Sequence, residues 1–229
     1  DLSTTYLGLA LRHPIIASAS SLTATVDGIC ALAGAGAAAV VLPSLFEEQV
    51  HAEDTAYTMY SEHGSFSQPE AGNYFPELSN YDHGIAGHLD TLRRAVAAVD
   101  IPVIASLNGV TTRGWTEYAA RLEQAGAAAI ELNMYFIPSD VTTSGHDVEA
   151  RYVDVVRAVR RVVKIPIAAK LSPFFSSTGH FAHQLVDAGA DGLVLFNRFY
   201  QPDFDLATLS VKSDLKLSSP HEAGPPLLW

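Results

Sequence analysis

Polar side chains recur at the carboxyl ends of short apolar runs. Lys170 closes Ile167-Ala168-Ala169, Asn133 closes Ile130-Glu131-Leu132, and Asn197 follows Leu193-Val194-Leu195-Phe196. Asn108 follows Ile104-Ala105-Ser106-Leu107, Ser44 follows Val40-Val41-Leu42-Pro43, and Ser18-Ala19-Ser20 follow Ile15-Ile16-Ala17. A lysine at the end of a buried strand must reach water or meet a negative charge. Lys170 is therefore either a cation aimed at an anionic ligand or cofactor, or a side chain that snorkels to solvent or pairs with Glu131 on the neighbouring strand. The amides of Asn133 and Asn197 offer donors and acceptors together, which suits the edge of a heterocycle. Their plainer reading is loop capping. Asn108, followed by Gly109, also reads as a turn.

Other chemistries fit less well. Cys30 is the single cysteine, so no internal disulfide and no cysteine-built metal site is expected. His51, His63, His83 and His88 lie in or just after one long segment without helical i, i+4 pairing, and His180 and His183 stand beside no carboxylate triplet. No metal is expected. Glu47-Glu48 reads as an acidic pair or, more simply, a solvated face. Ser18, Ser20 and Ser21 lack a Gly-x-Ser-x-Gly elbow. The net charge of −11 argues against nucleic acid, which needs a basic face. The apolar stretch from Cys30 to Phe46 is mostly Ala and Gly and contains Pro43, so it reads as a helix end and a buried strand rather than a membrane span. No signal peptide is visible, and the expected setting is cytoplasmic.

Two alternating repeats supply the elements that position these residues. Ala35-Gly36-Ala37, Ala125-Gly126-Ala127 and Ala188-Gly189-Ala190 each join a helix end to a short apolar strand. His13-Pro14, Ile101-Pro102 and Ile165-Pro166 each open another strand, at a place where a missing N–H is tolerated. Strands are expected near 14–18, 39–43, 102–107, 129–133, 166–171 and 192–196. Helices are expected over 90–99, 116–124, 148–163 and 178–187, from their apolar stripes. Alternating βα units with buried strands mean a parallel sheet, and polar strand ends favour a TIM (βα)8-type barrel over a doubly wound sheet. The chain reads as one domain, 1–229, with about six of eight βα units, stopping within or before the helix of the sixth. Residues 44–87 form a segment too long for an ordinary βα loop. Residues 201–229 read as a hairpin excursion, strands 206–211 and 215–218 around Lys212-Ser213-Asp214, then a helix start at Ser219-Pro220.

Leu2-Ser3-Thr4-Thr5-Tyr6-Leu7-Gly8-Leu9 with His13-Pro14-Ile15-Ile16-Ala17-Ser18, then Glu131-Leu132-Asn133, Ala169-Lys170-Leu171-Ser172-Pro173 and Val194-Leu195-Phe196-Asn197, resemble the dihydroorotate dehydrogenase family, nearest its class 1 cytosolic type. The resemblance runs in order over essentially the whole chain. It implies an FMN-binding (βα)8 barrel in pyrimidine metabolism, a homodimer at full length, acting on a small-molecule substrate. It implies that Ser18, Ala19 and Ser20 approach the flavin through backbone groups and that Ser44 lies near the ring. Asn133 would contact flavin and substrate, Lys170 would sit at a flavin edge where a cation favours the reduced anion, and Asn197 would bind substrate.

Three departures qualify this. The family's lysine after strand two is Pro43 here. The family's Cys or Ser base after strand four has no counterpart in Asn133-Met134-Tyr135-Phe136-Ile137-Pro138. Tyr135 is the one titratable group there, and a phenol is ordinarily a poor base; Ser139 is displaced. The family's phosphate-binding turns follow strands seven and eight, beyond the six units counted. Weak or no FMN binding and poor solubility are expected of the chain as written, with strands one and six as open edges. Three readings follow: a flavin-dependent oxidoreductase acting on a small cyclic or unsaturated substrate, a non-catalytic or partner-dependent barrel, and a flavin-free lyase or aldolase with Lys170 as the Schiff-base amine.

Overall fold

The computed structural model describes residues 1–50, 85–136, 138–197, 203–212 and 219–229. An antiparallel hairpin, β1 (Thr4–Tyr6) and β2 (Leu9–Leu11), opens the chain. Then follow β3 (Ile16–Ala17), α1 (Val26–Gly34), β4 (Ala39–Phe46), α2 (Ile85–Ala98), β5 (Val103–Asn108), α3 (Thr112–Gln124), β6 (Ala129–Asn133), α4 (Gly145–Arg160), β7 (Ile167–Leu171), α5 (Thr178–Asp187) and β8 (Gly192–Leu195). A second hairpin, β9 (Asp203–Asp205) and β10 (Ser210–Lys212), precedes α6 (Gly224–Leu228).

Strands β3 to β8 form one parallel sheet in chain order. A doubly wound sheet reverses its order at a switch point, whereas a barrel wall does not. The sheet is thus a curled half-barrel of α/β type. Its two faces bury separate apolar sets. Outward residues such as Leu42, Leu107, Ile130, Leu132, Ile167 and Leu171 pack with the helices. Inward residues Ala39, Val41, Ile104, Ala129 and Ala168 pack with Leu7 and Leu11 of the first hairpin. These inward residues sit at the amino ends of their strands, so the hairpin closes that end. Gly192 makes room for it: a Cβ there would lie 2.7 Å from a methyl of Leu7.

The local signals act as expected. Thr25, Thr111 and Ser144 cap α1, α3 and α4 by accepting from the N–H of Gly28, Gly114 and Asp147. Gly36, Gly126 and Gly189, at the three αβ joints, take φ of 105°, 98° and 112°.

Several boundaries differ from expectation. β4 runs on to Phe46, with a register shift between Val41 and Ser44. Pro43 cannot donate to the ladder, and the irregularity lets the strand continue past it. Residues 47–50 are helical and α2 begins at Ile85, so the segment 44–87 carries strand and helix at both ends. Residues 51–84, with His51, His63 and His83, lie outside the described residues. Among the described residues the late hairpin has strands 203–205 and 210–212, so the expected strand 206–211 is replaced over 206–209 by a turn, while the expected strand 215–218 lies outside the described residues. Asp205 decides this, because its Oδ1 accepts from the N–H of Ala207 (2.8 Å) and Thr208 (3.2 Å) and makes 206–209 a turn. Residues 213–218 lie outside the described residues. The first hairpin was not anticipated from the sequence.

Candidate active site

Strand alternation places Ser106, Glu131 and Lys170 one step, and Asn133 two steps, beyond the inward apolar set, toward the carboxyl ends of the strands, and the register shift after Val41 brings Ser44 beside Ser106. The register sets Ser44 beside Ser106, Ser106 beside Glu131, and Asn133 beside Lys170. These side chains form one connected network across β4 to β8. The Asn197 amide donates to Asn133 Oδ1 at 2.6 Å, and the Asn133 amide donates to Ser44 Oγ at 3.0 Å. Ser44 Oγ lies 2.8 Å from Ser106 Oγ. Ser106 donates to Glu131 Oε1 at 3.4 Å, and Lys170 Nζ reaches the same oxygen at 3.3 Å. The Glu131 side chain is 7% exposed and that of Lys170 17%.

Lys170 is therefore ion-paired with Glu131. Tyr6 lies on the same layer from the hairpin side. Burial, then the negative charge of Glu131, push its phenol up to about 12.

A second buried carboxylate stands at the rim. Glu47 is 2% exposed, not part of a solvated acidic face. It accepts from the N–H of Val110, from the N–H of Thr111 at 2.8 Å and from the Thr111 hydroxyl at 2.5 Å. Its negative charge meets the unpaired N–H groups at the start of α3. Gly114 leaves space for it, since a Cβ there would collide with the Glu47 carboxylate. Sequence reasoning missed this anchor, because its partners are more than 60 residues away.

The remaining candidates are less connected. Ser18 and Ser20 are exposed, and Ala19 packs against the inward apolar set. The Ser20 N–H is used locally, donating to Thr23 Oγ1 at 3.1 Å. Asn108 and Tyr135 line a pocket of about 560 Å³ with Trp115, Phe136, Arg151 and Tyr152. Phe136 lies beneath Arg151, whose guanidinium carbon is 4.2 Å from the ring centre. His183 pairs with Asp187 at 3.0 Å on an exposed helix face. Among the described residues no group of three or more His, Cys, Asp or Glu is placed to hold a metal. No helix among them is long and apolar enough to cross a membrane.

A parallel half-barrel with its polar layer at the carboxyl ends of the strands has the layout of a barrel enzyme's active face. Curated relatives at about 30% identity support a dihydroorotate dehydrogenase-like family for the chain. The chain is 31% identical over 157 residues to the catalytic subunit of dihydroorotate dehydrogenase B (NAD(+)) of Endomicrobium trichonymphae, covering 63% of this chain and 51% of that one. It is 30% identical over 200 residues to the subunit of the same name from Methanocaldococcus jannaschii, covering 86% and 62%. For that of Geobacter sp. (strain M21) the values are 28% over 220 residues, 90% and 65%. The chain thus spans about half to two thirds of the length of these relatives. No family model matches it. Among solved structures, 2,3-dimethylmalate lyase superposes with a TM-score of 0.47 at 15% identity, over 78% of this chain and 58% of that one, a likeness too slight to bear on activity.

Proposed function

We propose that the chain supplies the ring-facing side of an FMN-dependent oxidoreductase of dihydroorotate dehydrogenase type, acting on CH–CH groups of a small cyclic or unsaturated substrate. The observation that carries this is the single network joining Asn197, Asn133, Ser44, Ser106, Glu131 and Lys170 at the carboxyl ends of five strands. Its donor set fits a flavin ring: amide and hydroxyl groups for carbonyl and N–H edges, and a cation for developing negative charge. FMN, when bound, supplies the hydride chemistry. Lys170 and Asn133 would hold its ring, with Ser44 beside them and the backbone of Ser18, Ala19 and Ser20 at its edge. Asn133 and Asn197 would orient the substrate, and Asn108 would limit it from the rim. On this reading the half-barrel is part of an eight-unit (βα)8 barrel, working in the cytoplasm as a homodimer.

A second reading has its own observation. Phe136 stands where the family places its base and is packed beneath Arg151. A barrel that binds a heterocycle without turning it over, or serves a partner, is consistent with that position.

The test is a titration of the purified 229-residue chain with FMN and with lumiflavin, read by flavin fluorescence, then anaerobic addition of cyclic ene and dihydro compounds. The named ligands all face the ring, so the two flavins are expected to bind weakly and to the same extent, and Lys170→Met to weaken both. Flavin bleaching with a dihydro compound supports the oxidoreductase. Flavin binding with no bleaching across the panel favours the non-catalytic barrel. No binding of either flavin overturns the flavin reading.

A further inference from the structure

We propose that the pocket outside the ends of β5 and β6 is a second ligand site, beside the heterocycle network and separate from it, and that it takes a planar aromatic carboxylate. Arg151 pairs with the carboxylate, and the rings of Trp115, Tyr135 and Tyr152 hold the plane. None of these residues lies in the runs that carry the family likeness.

Packing fixes the walls. The pocket holds about 560 Å³, in the range of pockets that take small organic ligands, which are mostly apolar with a few placed polar groups. Trp115 and Tyr152, both lining it, are buried. Tyr152 meets Phe175 and Phe181 edge-on, with ring centres 5.6 and 5.8 Å away. Gly109 lets the Trp115 ring lie against the end of β5, since a Cβ there would come within 2.7 Å of the indole. Rings held in place by the protein take a flat ligand at little conformational cost. Asn108 follows Ser106 on the same face of β5 and also lines the pocket, so it marks the boundary with the network.

The cation comes from α4. Arg157 and Arg160 of that helix are paired with Asp154 and Asp191. Arg151 has no carboxylate partner among the described residues and is held by neutral groups instead. Its guanidinium carbon lies 4.2 Å from the centre of the Phe136 ring, and one nitrogen lies 3.4 Å from the Val110 carbonyl. A guanidinium fixed in this way keeps further N–H donors in a planar fork, the shape that a carboxylate accepts. Burial pushes the Tyr152 phenol up, so that wall stays neutral. Glu48, exposed, is the one anion among the described lining residues. Glu47 lies behind Val110 and Thr111, and its charge is taken up by the start of α3. A neutral ligand of the same shape lacks the ion pair, and a flexible anion lacks the ring contacts.

The probes are 2-naphthoate, 2-naphthamide and octanoate, titrated by calorimetry into the 229-residue chain without flavin. The wild type is expected to bind 2-naphthoate about tenfold more tightly than either of the others, the factor that one charge-assisted pair supplies. Arg151→Met keeps the stem and removes the fork. It is expected to lower the affinity for 2-naphthoate about tenfold and to leave 2-naphthamide unchanged. Arg151→Lys is expected to recover part of that loss. Tyr135→Leu is expected to weaken both naphthyl probes and spare octanoate, and Glu48→Gln to strengthen 2-naphthoate. Circular dichroism checks that each variant is folded. If Tyr135→Leu fails to fold, the two Arg151 variants carry the comparison. No binding of 2-naphthoate by the folded wild type, equal binding of 2-naphthamide, or an affinity unmoved by Arg151→Met overturns the proposal. So does loss of 2-naphthoate binding in Lys170→Met, which puts the anion at the strand ends instead. The titration contains no flavin, so failure of FMN to bind rejects the flavin reading and leaves this site standing.

Discussion

Glu131 is 5% exposed as a residue and is held by Ser106 and Lys170. Breaking a buried pair leaves a charge without compensation, which costs about 3–5 kcal/mol, whereas replacing both partners with apolar residues is often nearly neutral. Lys170→Met and Glu131→Leu are each expected to lower stability by that amount. The double variant is expected to lose less than either, as read from urea unfolding. Tyr6 gives a pH signature from the same layer. Its phenol is raised from 10.0 to about 12. The folded state therefore holds the proton more tightly than the unfolded state. Its contribution is complete below pH 10 and is lost as pH rises toward 12. Alkaline unfolding of the wild type and Tyr6→Phe checks this: the wild type alone is expected to lose that increment over the window.

At the scale of elements, the start of α3 shows how a loop is fixed from a distance. Glu47, at the end of β4, binds the N–H groups of Val110 and Thr111 and thereby holds the turn that carries Asn108. Gly114 is glycine because the carboxylate fills the space a Cβ would take. Gly114→Ala is expected to destabilise the chain by about 1–3 kcal/mol, since overpacking against a buried charge has no cheap relaxation. Thermal unfolding checks it. Glu47→Gln/Gly114→Ala is expected to be no better, because the amide keeps the same bulk.

At the scale of the molecule, β3 and β8 are the two ends of the described sheet, and β9–β10 displays apolar side chains. Leu206 is 84% and Leu209 86% exposed, with Phe204 and Val211 exposed beside them. Open strand edges and exposed apolar hairpins promote association. The 229-residue chain is expected to associate with rising concentration in sedimentation velocity. Leu206→Lys with Leu209→Lys is expected to reduce that association without altering far-ultraviolet circular dichroism.

The sequence alone determined the alternation of elements and the strand ends that carry chemistry. Short periodicity and glycine at the αβ joints are local facts, so the six parallel strands and the positions of Asn133, Lys170 and Asn197 could be read in one dimension. The family likeness was legible for the same reason, because the motifs that carry it lie on those strand ends. The tertiary structure showed which partner Lys170 takes within the chain. Its partner choice depends on register, which sets Asn133 beside Lys170 and leaves Glu131 within reach. It also decided that Glu47 is buried, that Tyr6 faces Glu131 and that the first hairpin closes the amino end of the strands. Each of these is a contact between residues far apart in the chain. Spacing along a sequence carries no information about such contacts until the sheet curls and brings them onto one face.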